Sequence, residues 1–374
     1  MKIVHIAKQF FPCVGGIETT ILGLSSYLTQ KGHISDVITL NKHIRTKKNL
    51  PESDCLDDIN IRRIKFRFSS RYPVNFQIIK HIGADYEVIH IHGIDFFSDF
   101  LLLMKDKIRQ PIVISTHGGF FHTKAMCPFK LLWFRTVTKL TLNKADIVIA
   151  EGPNDYNIFR KIISKNLAVL EPGINLRFCK VEKKIQKNCL VYWGRICENK
   201  KIEDLINTIY VAKKRRNNIK LILIGEDWHD YTKKLGKLVD GLGLNDSVYF
   251  LGYLTYQEIV EYIEKAHLFV SASEYEGFGI TVIEAMGSST VPFVNNIESF
   301  RNIVRNGHNG FLVDFKNYEE TSERLISILD EDLDYLRKIG ERSRETAQGY
   351  SWQSVGEKYI TLYNKLILSH RSLC

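Results

Sequence analysis

The stretch Ser273-Glu274-Tyr275-Glu276-Gly277-Phe278-Gly279-Ile280-Thr281-Val282-Ile283-Glu284-Ala285-Met286 directly follows an apolar run, Leu268 to Ser271, that reads as a strand. Its two glycines let the backbone approach a ligand closely. A helix starting behind them turns free N–H groups and a positive dipole end toward an anion. Such a loop suits a diphosphate. Glu276 and Glu284 are eight residues apart, about 12 Å along a helix rising roughly 1.5 Å per residue, so they flank the cradle without sharing a ligand atom. One suits sugar hydroxyls and the other ribose hydroxyls. A second element, Val191-Tyr192-Trp193-Gly194-Arg195-Ile196-Cys197-Glu198-Asn199-Lys200-Lys201, ends another apolar run and leads into a helix near Ile202. Arg195 and Lys200 would sit together on its loop, where fixed cations stabilise charge building on a departing diphosphate.

Other residues have weaker patterns. His117 lies in Ser115-Thr116-His117-Gly118-Gly119-Phe120-Phe121-His122, at a strand end, where active sites of open α/β sheets gather. Gly15-Gly16 forms a turn after the first strand. His90 and His92 alternate with isoleucines and suit either a metal or packing. With no Cys or carboxylate at ligand spacing nearby, packing is the expectation. No Asp-x-Asp stands at a strand end, and Asp332-Leu333-Asp334 reads as the solvated face of a charged helix. Metal ligands are therefore not expected, and Arg195 and Lys200 would supply the positive charge a metal ion otherwise brings.

The elements that must position these residues form two series. Apolar runs at Ile3–Ile6, Ser35–Leu40, Val88–His92, Ile112–Thr116 and Ile147–Ala150 alternate with helical stretches, beginning with an amphipathic helix from about Ile17 to Lys31. This is the pattern of a parallel sheet covered on both faces. The segment from Glu171 to Asn188 contains Pro172, Gly173 and a polar run, and reads as a connection. Strands follow at Cys189–Trp193, Lys220–Ile224, Val248–Leu251, Leu268–Ser271 and Val291–Val294. The expected division is 1–172, completed by 353–374, then a linker over 173–188, then 189–352. A chain of 374 residues, 44% apolar and 25% charged, suits two globular domains.

Seven scattered cysteines without a Cys-x-x-Cys pair read as reduced thiols, and the opening MKIVHIAKQF does not resemble a signal peptide. A cytoplasmic protein is expected. The formal charge of +10 calls for an acidic partner, whether nucleotide phosphates, nucleic acid or an anionic membrane. No nucleic-acid module is recognisable. Between Lys105 and Lys144, basic residues face only Asp106, and Phe129, Leu131, Leu132, Trp133 and Phe134 interleave with them. That composition suits a helix at a membrane interface, with Lys124, Lys130, Trp133, Phe134, Arg135 and Lys139 docking on anionic lipid; a half-buried helix with a solvated basic side is the alternative.

The context EGFGITVIEAM, with Glu276 and Glu284 separated as above, resembles the signature of the family 4 retaining glycosyltransferases. The resemblance implies a GT-B fold: α/β, two Rossmann-like domains facing across a cleft, with a C-terminal helix crossing back to the N-terminal domain after Tyr350-Ser351-Trp352. By the family's pattern Glu276 meets the donor sugar, the amides of Gly277, Phe278, Gly279 and Ile280 meet sugar and diphosphate, and Glu284 binds ribose. Arg195 and Lys200 resemble its phosphate clamp. Lys201 stands where many relatives carry Gly, so the contact falls on Lys200 or Lys201. Gly15-Gly16-Ile17-Glu18 resembles the glycine loop under the donor phosphates, and His117 matches a histidine near the transferred sugar. Glu151-Gly152 replaces the usual small residue and Ser, and Glu171-Pro172-Gly173-Ile174-Asn175 replaces the usual hinge.

THGGFFHT together with EAMGSSTVPFVNNIESFRNIV is similar to the α-mannosyltransferases of xanthan- and acetan-type exopolysaccharide assembly. That similarity implies GDP-mannose as donor and a polyprenyl-diphosphate-linked glycan as acceptor, in exopolysaccharide, capsule or O-antigen assembly at the inner face of the plasma membrane. The expected mechanism is metal-independent front-face displacement, without a cofactor beyond the nucleotide sugar. UDP-glucose and UDP-N-acetylglucosamine are the competing donors. An epimerase on the same fold and a non-catalytic sugar-nucleotide sensor are the competing functions.

Overall fold

The computed structural model describes the chain except residues 14, 44–45, 68–72, 77, 119–130, 176–178, 180, 229 and 373–374. It forms two compact units, Met1–Ile174 with Ser351–Cys374, and Asn175–Tyr350.

Unit 1 is built on strands β1 (Lys2–Ile6), β2 (Ile34–Leu40), β3 (Ser53–Leu56), β4 (Ile59–Ile64), β5 (Val88–His92), β6 (Ile112–Ser115), β7 (Ile147–Ala150) and β8 (Leu167–Val169). They form one eight-stranded sheet in the order β3-β4-β2-β1-β5-β6-β7-β8. Only the edge pair β3–β4 is antiparallel. Runs such as Val88–His92 are buried at every position, as strands covered on both faces must be. The order reverses between β1 and β5, and at such a switch point the connections diverge and leave a crevice at the carboxyl ends of the strands.

The C-terminal helix Trp352–Arg371 completes this unit. Trp352, Val355, Tyr359, Tyr363 and Ile367 share a core with Ile3, Leu24, Tyr27 and Leu28. The fit depends on glycine: a Cβ on Gly23 would lie 2.0 Å from the Trp352 indole nitrogen, and one on Gly173 would lie 2.4 Å from the same ring. Ser351 and Trp352, expected in the second domain, therefore belong to unit 1.

Unit 2 carries β9 (Cys189–Trp193), β10 (Lys220–Ile224), β11 (Val248–Gly252), β12 (Leu268–Ser271), β13 (Val291–Asn295) and β14 (Phe311–Val313). These form a parallel six-stranded sheet ordered β11-β10-β9-β12-β13-β14, with its own switch point between β9 and β12. Its first residues are already tied in. Lys184 N donates to Glu264 O and Gln186 N to Lys265 O, both at 2.9 Å. Asp332 and Asp334 are both exposed, as expected of a solvated face, and Asp332 also caps the helix Leu333–Gln348, accepting from Asp334 N at 3.1 Å. No helix among the described residues is long and apolar enough to cross a membrane.

Candidate active site

In unit 2 the loops leaving β9 and β12 meet at the switch point. Gly225 allows the β9 loop to pass closely: a Cβ there would lie 1.7 Å from the Gly194 carbonyl oxygen, and its φ is +154°. The two loops are laced together, with Glu274 N donating to Asn199 O at 3.0 Å and Asn199 Nδ2 to Tyr275 O at 3.4 Å.

This lacing brings Lys200 and Glu276 into contact. The Lys200 ammonium donates to Glu276 Oε1, with side chains 11% and 16% exposed. The same oxygen accepts from Ser273 Oγ at 2.9 Å. A nearly dry ion pair persists only when both charges find partners, and here each supplies the other's. Glu276 lies in the loop before the helix Ile280–Gly287, whereas Glu284 lies on that helix, so the rise along a continuous helix does not describe their separation. Glu284 Oε2 accepts from the Trp193 indole N–H at 3.3 Å. Gly279, at φ +110°, is the helix N-cap, a left-handed position that suits glycine. Arg195 is exposed, its guanidinium 5.1 Å from the centre of the Trp228 ring.

Lys200 and Lys201 are separated by the geometry. Lys201 adopts φ +50°, a left-handed conformation that suits Gly, and pairs with Glu203 and Glu274 at 3.9 and 3.7 Å. Lys200 alone reaches Glu276.

In unit 1, Gly15 precedes the helix Gly16–Gln30 as its N-cap, with extended backbone. A Cβ on Gly15 would lie 2.5 Å from Glu18 Oε2. His117 follows β6 at φ +48°, with its side chain 5% exposed. Its Nδ1 lies 2.5 Å from Glu151 Oε1 and its Nε2 3.0 Å from His92 Nδ1. His90 and His92 are buried in the sheet as expected, and His5 of β1 joins them. His90 bonds Tyr363 Oη at 2.7 Å and Ser115 Oγ at 2.8 Å.

Known proteins resemble this arrangement over the whole chain. Residues 14–178 match the family model Glycosyltransferase Family 4, and residues 177–346 match Glycosyl transferases group 1. A GDP-mannose:cellobiosyl-diphosphopolyprenol alpha-mannosyltransferase of Komagataeibacter xylinus is 31% identical over 372 residues, covering 98% of this chain and 94% of the relative. The chain belongs to the family 4 glycosyltransferases. A protein with the same printed name from Xanthomonas oryzae pv. oryzae (strain PXO99A) is 30% identical over 371 residues, covering 97% of each chain. Sucrose-phosphate synthase from Thermosynechococcus elongatus superposes with a TM-score of 0.80 at 18% identity, over 99% of this chain and all of that one, and shares its GT-B fold.

For this glycosyltransferase the structure unites Lys200 with Glu276, and Glu284 with Trp193, within unit 2. Trp193 and Ser273 were not singled out in the sequence, although both lie inside the quoted motifs. In unit 1, Glu151, His92 and His5 are the partners that motif reading missed. The signal for Glu151 was its departure from the family's small residue.

The basic-aromatic segment differs from expectation. Phe134 is 5% exposed and packs edge-on against Phe159, so it belongs to the core and not to a membrane face. Trp133 is half-buried and donates its indole N–H to Asp99 at 2.8 Å. Arg135 and Lys139 are exposed, and the exposed apolar side chains beside them are Leu131, Leu132 and Leu140. Lys124 and Lys130 lie outside the described residues.

Proposed function

We propose that this glycosyltransferase moves mannose from GDP-mannose to a polyprenyl-diphosphate-linked glycan, with retention of configuration and without a metal. The observation that carries the donor site is the Lys200–Glu276 pair at the β9/β12 switch point, next to a glycine-capped helix start. The names of the two mannosyltransferase relatives support the choice of sugar, base and acceptor.

In this reading an ammonium offers three N–H donors, and one contact to Glu276 leaves others for phosphate oxygens. Arg195, Lys200 and the amides from Gly277 to Ile280 stabilise the diphosphate as the bond from the anomeric carbon to its oxygen breaks. The acceptor hydroxyl attacks from the same face, and its proton passes to the departing phosphate oxygen. Glu276, held by Lys200 and Ser273, binds sugar hydroxyls instead of acting as a nucleophile. Glu284 takes the ribose. Both His117 ring nitrogens are engaged within unit 1, so its contribution to the sugar comes through the turn it forms. Exposed Leu132 and Leu140 beside Arg135 and Lys139 suit the anionic membrane face that such a lipid-linked acceptor occupies.

The test is turnover of GDP-mannose, UDP-glucose and UDP-N-acetylglucosamine with a polyprenyl-diphosphate disaccharide in EDTA, with the product anomer read by proton NMR. An α-mannoside formed at the same rate with and without EDTA is expected. Turnover of a UDP-sugar alone, a β-product, or abolition by EDTA overturns the corresponding part. Sedimentation with vesicles rich in anionic lipid, lost in Leu132→Ser/Leu140→Ser, checks the membrane contact.

A further inference from the structure

The His117 ring ends a string of contacts that runs into the middle of unit 1. Its Nδ1 faces Glu151 Oε1 at 2.5 Å, and its Nε2 faces His92 Nδ1 at 3.0 Å. The other nitrogen of His92 lies 2.9 Å from His5 Nδ1. His5 Nε2 is buried without a hydrogen-bond partner.

The direction of this string follows from counting donors. A carboxylate oxygen 2.5 Å from a ring nitrogen needs a proton between the two, and the string places it on His117 Nδ1. Burial keeps His92 and His5 neutral, holding His5 at about 3 and His92 well below its usual range. His117 then accepts at Nε2 from His92 Nδ1–H, and His92 accepts at Nε2 from His5 Nδ1–H. Glu151 Oε1 meets His117 through its 2.5 Å approach and not through an aligned hydrogen bond, and the ring nitrogen left over is Nε2 of His5, a lone pair. Reversing the string would leave an N–H there in a dry interior, and orphaned donors are rarer than orphaned acceptors.

His5, His90 and His92 have ligand atoms within 4.8 Å of one another, the composition of a metal site. Both nitrogens of His90 and both of His92 already have protein partners, which leaves His5 Nε2 as the one ring nitrogen of the trio without one. On the other side of the turn, Asp155 accepts from Gly118 N at 3.0 Å and from Thr116 Oγ1. His117 as a residue is partly exposed while its side chain is only 5% exposed, so the part it presents outward is backbone.

We propose that Glu151 is the positioning residue for His117. Its carboxylate terminates a one-way string of imidazole donors from His5 through His92 to His117, and so fixes the tautomer of the ring and the left-handed turn after β6. Glu151 itself touches no substrate. The kinetic consequence rests on the assignment of His117 to the transfer reaction made above; the tautomer does not.

The experiment is 15N NMR of histidine-labelled full-length protein without substrate, paired with kinetics on whichever sugar nucleotide is turned over. Wild type is expected to show His117 as the Nδ1–H tautomer. Glu151→Ala should lose that signature and lower kcat by about 10- to 150-fold, the range for losing a close contact to a carboxylate. The donor KM should stay within about twofold. Glu151→Gln, whose amide oxygen still accepts, should restore the tautomer and most of kcat. His92→Phe, which leaves the Glu151 contact in place, serves if Glu151→Ala does not fold; it should keep the Nδ1–H signal and move only the Nε2 resonance. An Nε2–H tautomer in the wild type, or an unchanged His117 signal in Glu151→Ala, overturns the proposal. An altered tautomer with unchanged kcat overturns the kinetic role alone, whatever the donor proves to be.

Discussion

Both units carry polar side chains where their strand order reverses, and they do it with opposite chemistry. At β9/β12, unit 2 brings together full charges: Lys200 on Glu276, with Arg195 on the same loop. At β1/β5, unit 1 buries imidazoles that are held neutral, His5 and His90 at 0% exposure and His92 at 4%. The topology provides the crevice in each case. Charge can enter it only when paired, whereas neutral rings can be stacked several deep if each N–H finds an acceptor. Unit 2 is thereby suited to an anion, and unit 1 to holding a turn in place.

The contrast predicts a graded set of responses. Lys200→Met should have the largest, since it leaves the Glu276 carboxylate with Ser273 as its remaining partner among the described residues, in a nearly dry site. Breaking such a pair costs about 3 to 5 kcal/mol, measurable as a lowered denaturation midpoint together with turnover reduced at least 100-fold. Near wild-type behaviour would remove the charged half of the comparison.

Acid is the next lever, and it acts on unit 1. His5, His90 and His92 have folded pKa values depressed by burial below the unfolded value of about 6.5. Their contribution is therefore fully present above about pH 6.5 and is lost as pH falls below it, at about 1.4 kcal/mol per pH unit for each histidine. Buried Asp99 and Asp155, whose carboxyls are raised, offset part of this loss only once they protonate. In unit 2, His267, held at about 4, adds a single such slope. Hydrogen exchange between pH 7 and 5 should show unit 1 opening first. Equal loss in both units would contradict the assignment.

Arg195→Ala, removing an exposed cation, should slow turnover by about 10- to 150-fold without a change in melting temperature. The smallest effect belongs to Trp193→Phe. It keeps an aromatic ring against Phe269, 4.5 Å between centroids, and removes the N–H that faces Glu284. A net hydrogen bond of about 0.5 to 1.5 kcal/mol corresponds to a rise of roughly 2- to 10-fold in donor KM.

How much of this could be read in the sequence differs between the two sites. In unit 2 the site is local: β9 and β12 announce themselves as apolar runs, and Arg195, Lys200, Glu276 and Glu284 lie in the loops and helix that follow. The neighbours of Lys200 were harder, because choosing it over Lys201 required knowing which one takes the left-handed turn. In unit 1 the central strands were equally legible, but His5 of β1, His92 of β5 and Glu151, just past the end of β7, meet only after the sheet assembles. Edge strands escaped notice for a different reason. Ser53–Leu56 is polar and exposed at alternate positions, and Leu167–Val169 and Phe311–Val313 are three residues each, too short for a period to show. Phe134 was misread because a basic, aromatic stretch looks the same whether its rings enter lipid or the protein's own core.

The C-terminal helix carries a consequence for the order of events during synthesis. Unit 1 begins the chain but receives Trp352, Tyr359 and Tyr363 only from its last stretch, and Tyr363 is the partner of His90. On the ribosome, residues 175–350 emerge with everything their own sheet needs, while the first 174 wait with an open face over Ile3, Leu24 and Leu28. The unit translated second is thus the one able to finish first, and the nascent N-terminal half must remain soluble until the final helix docks.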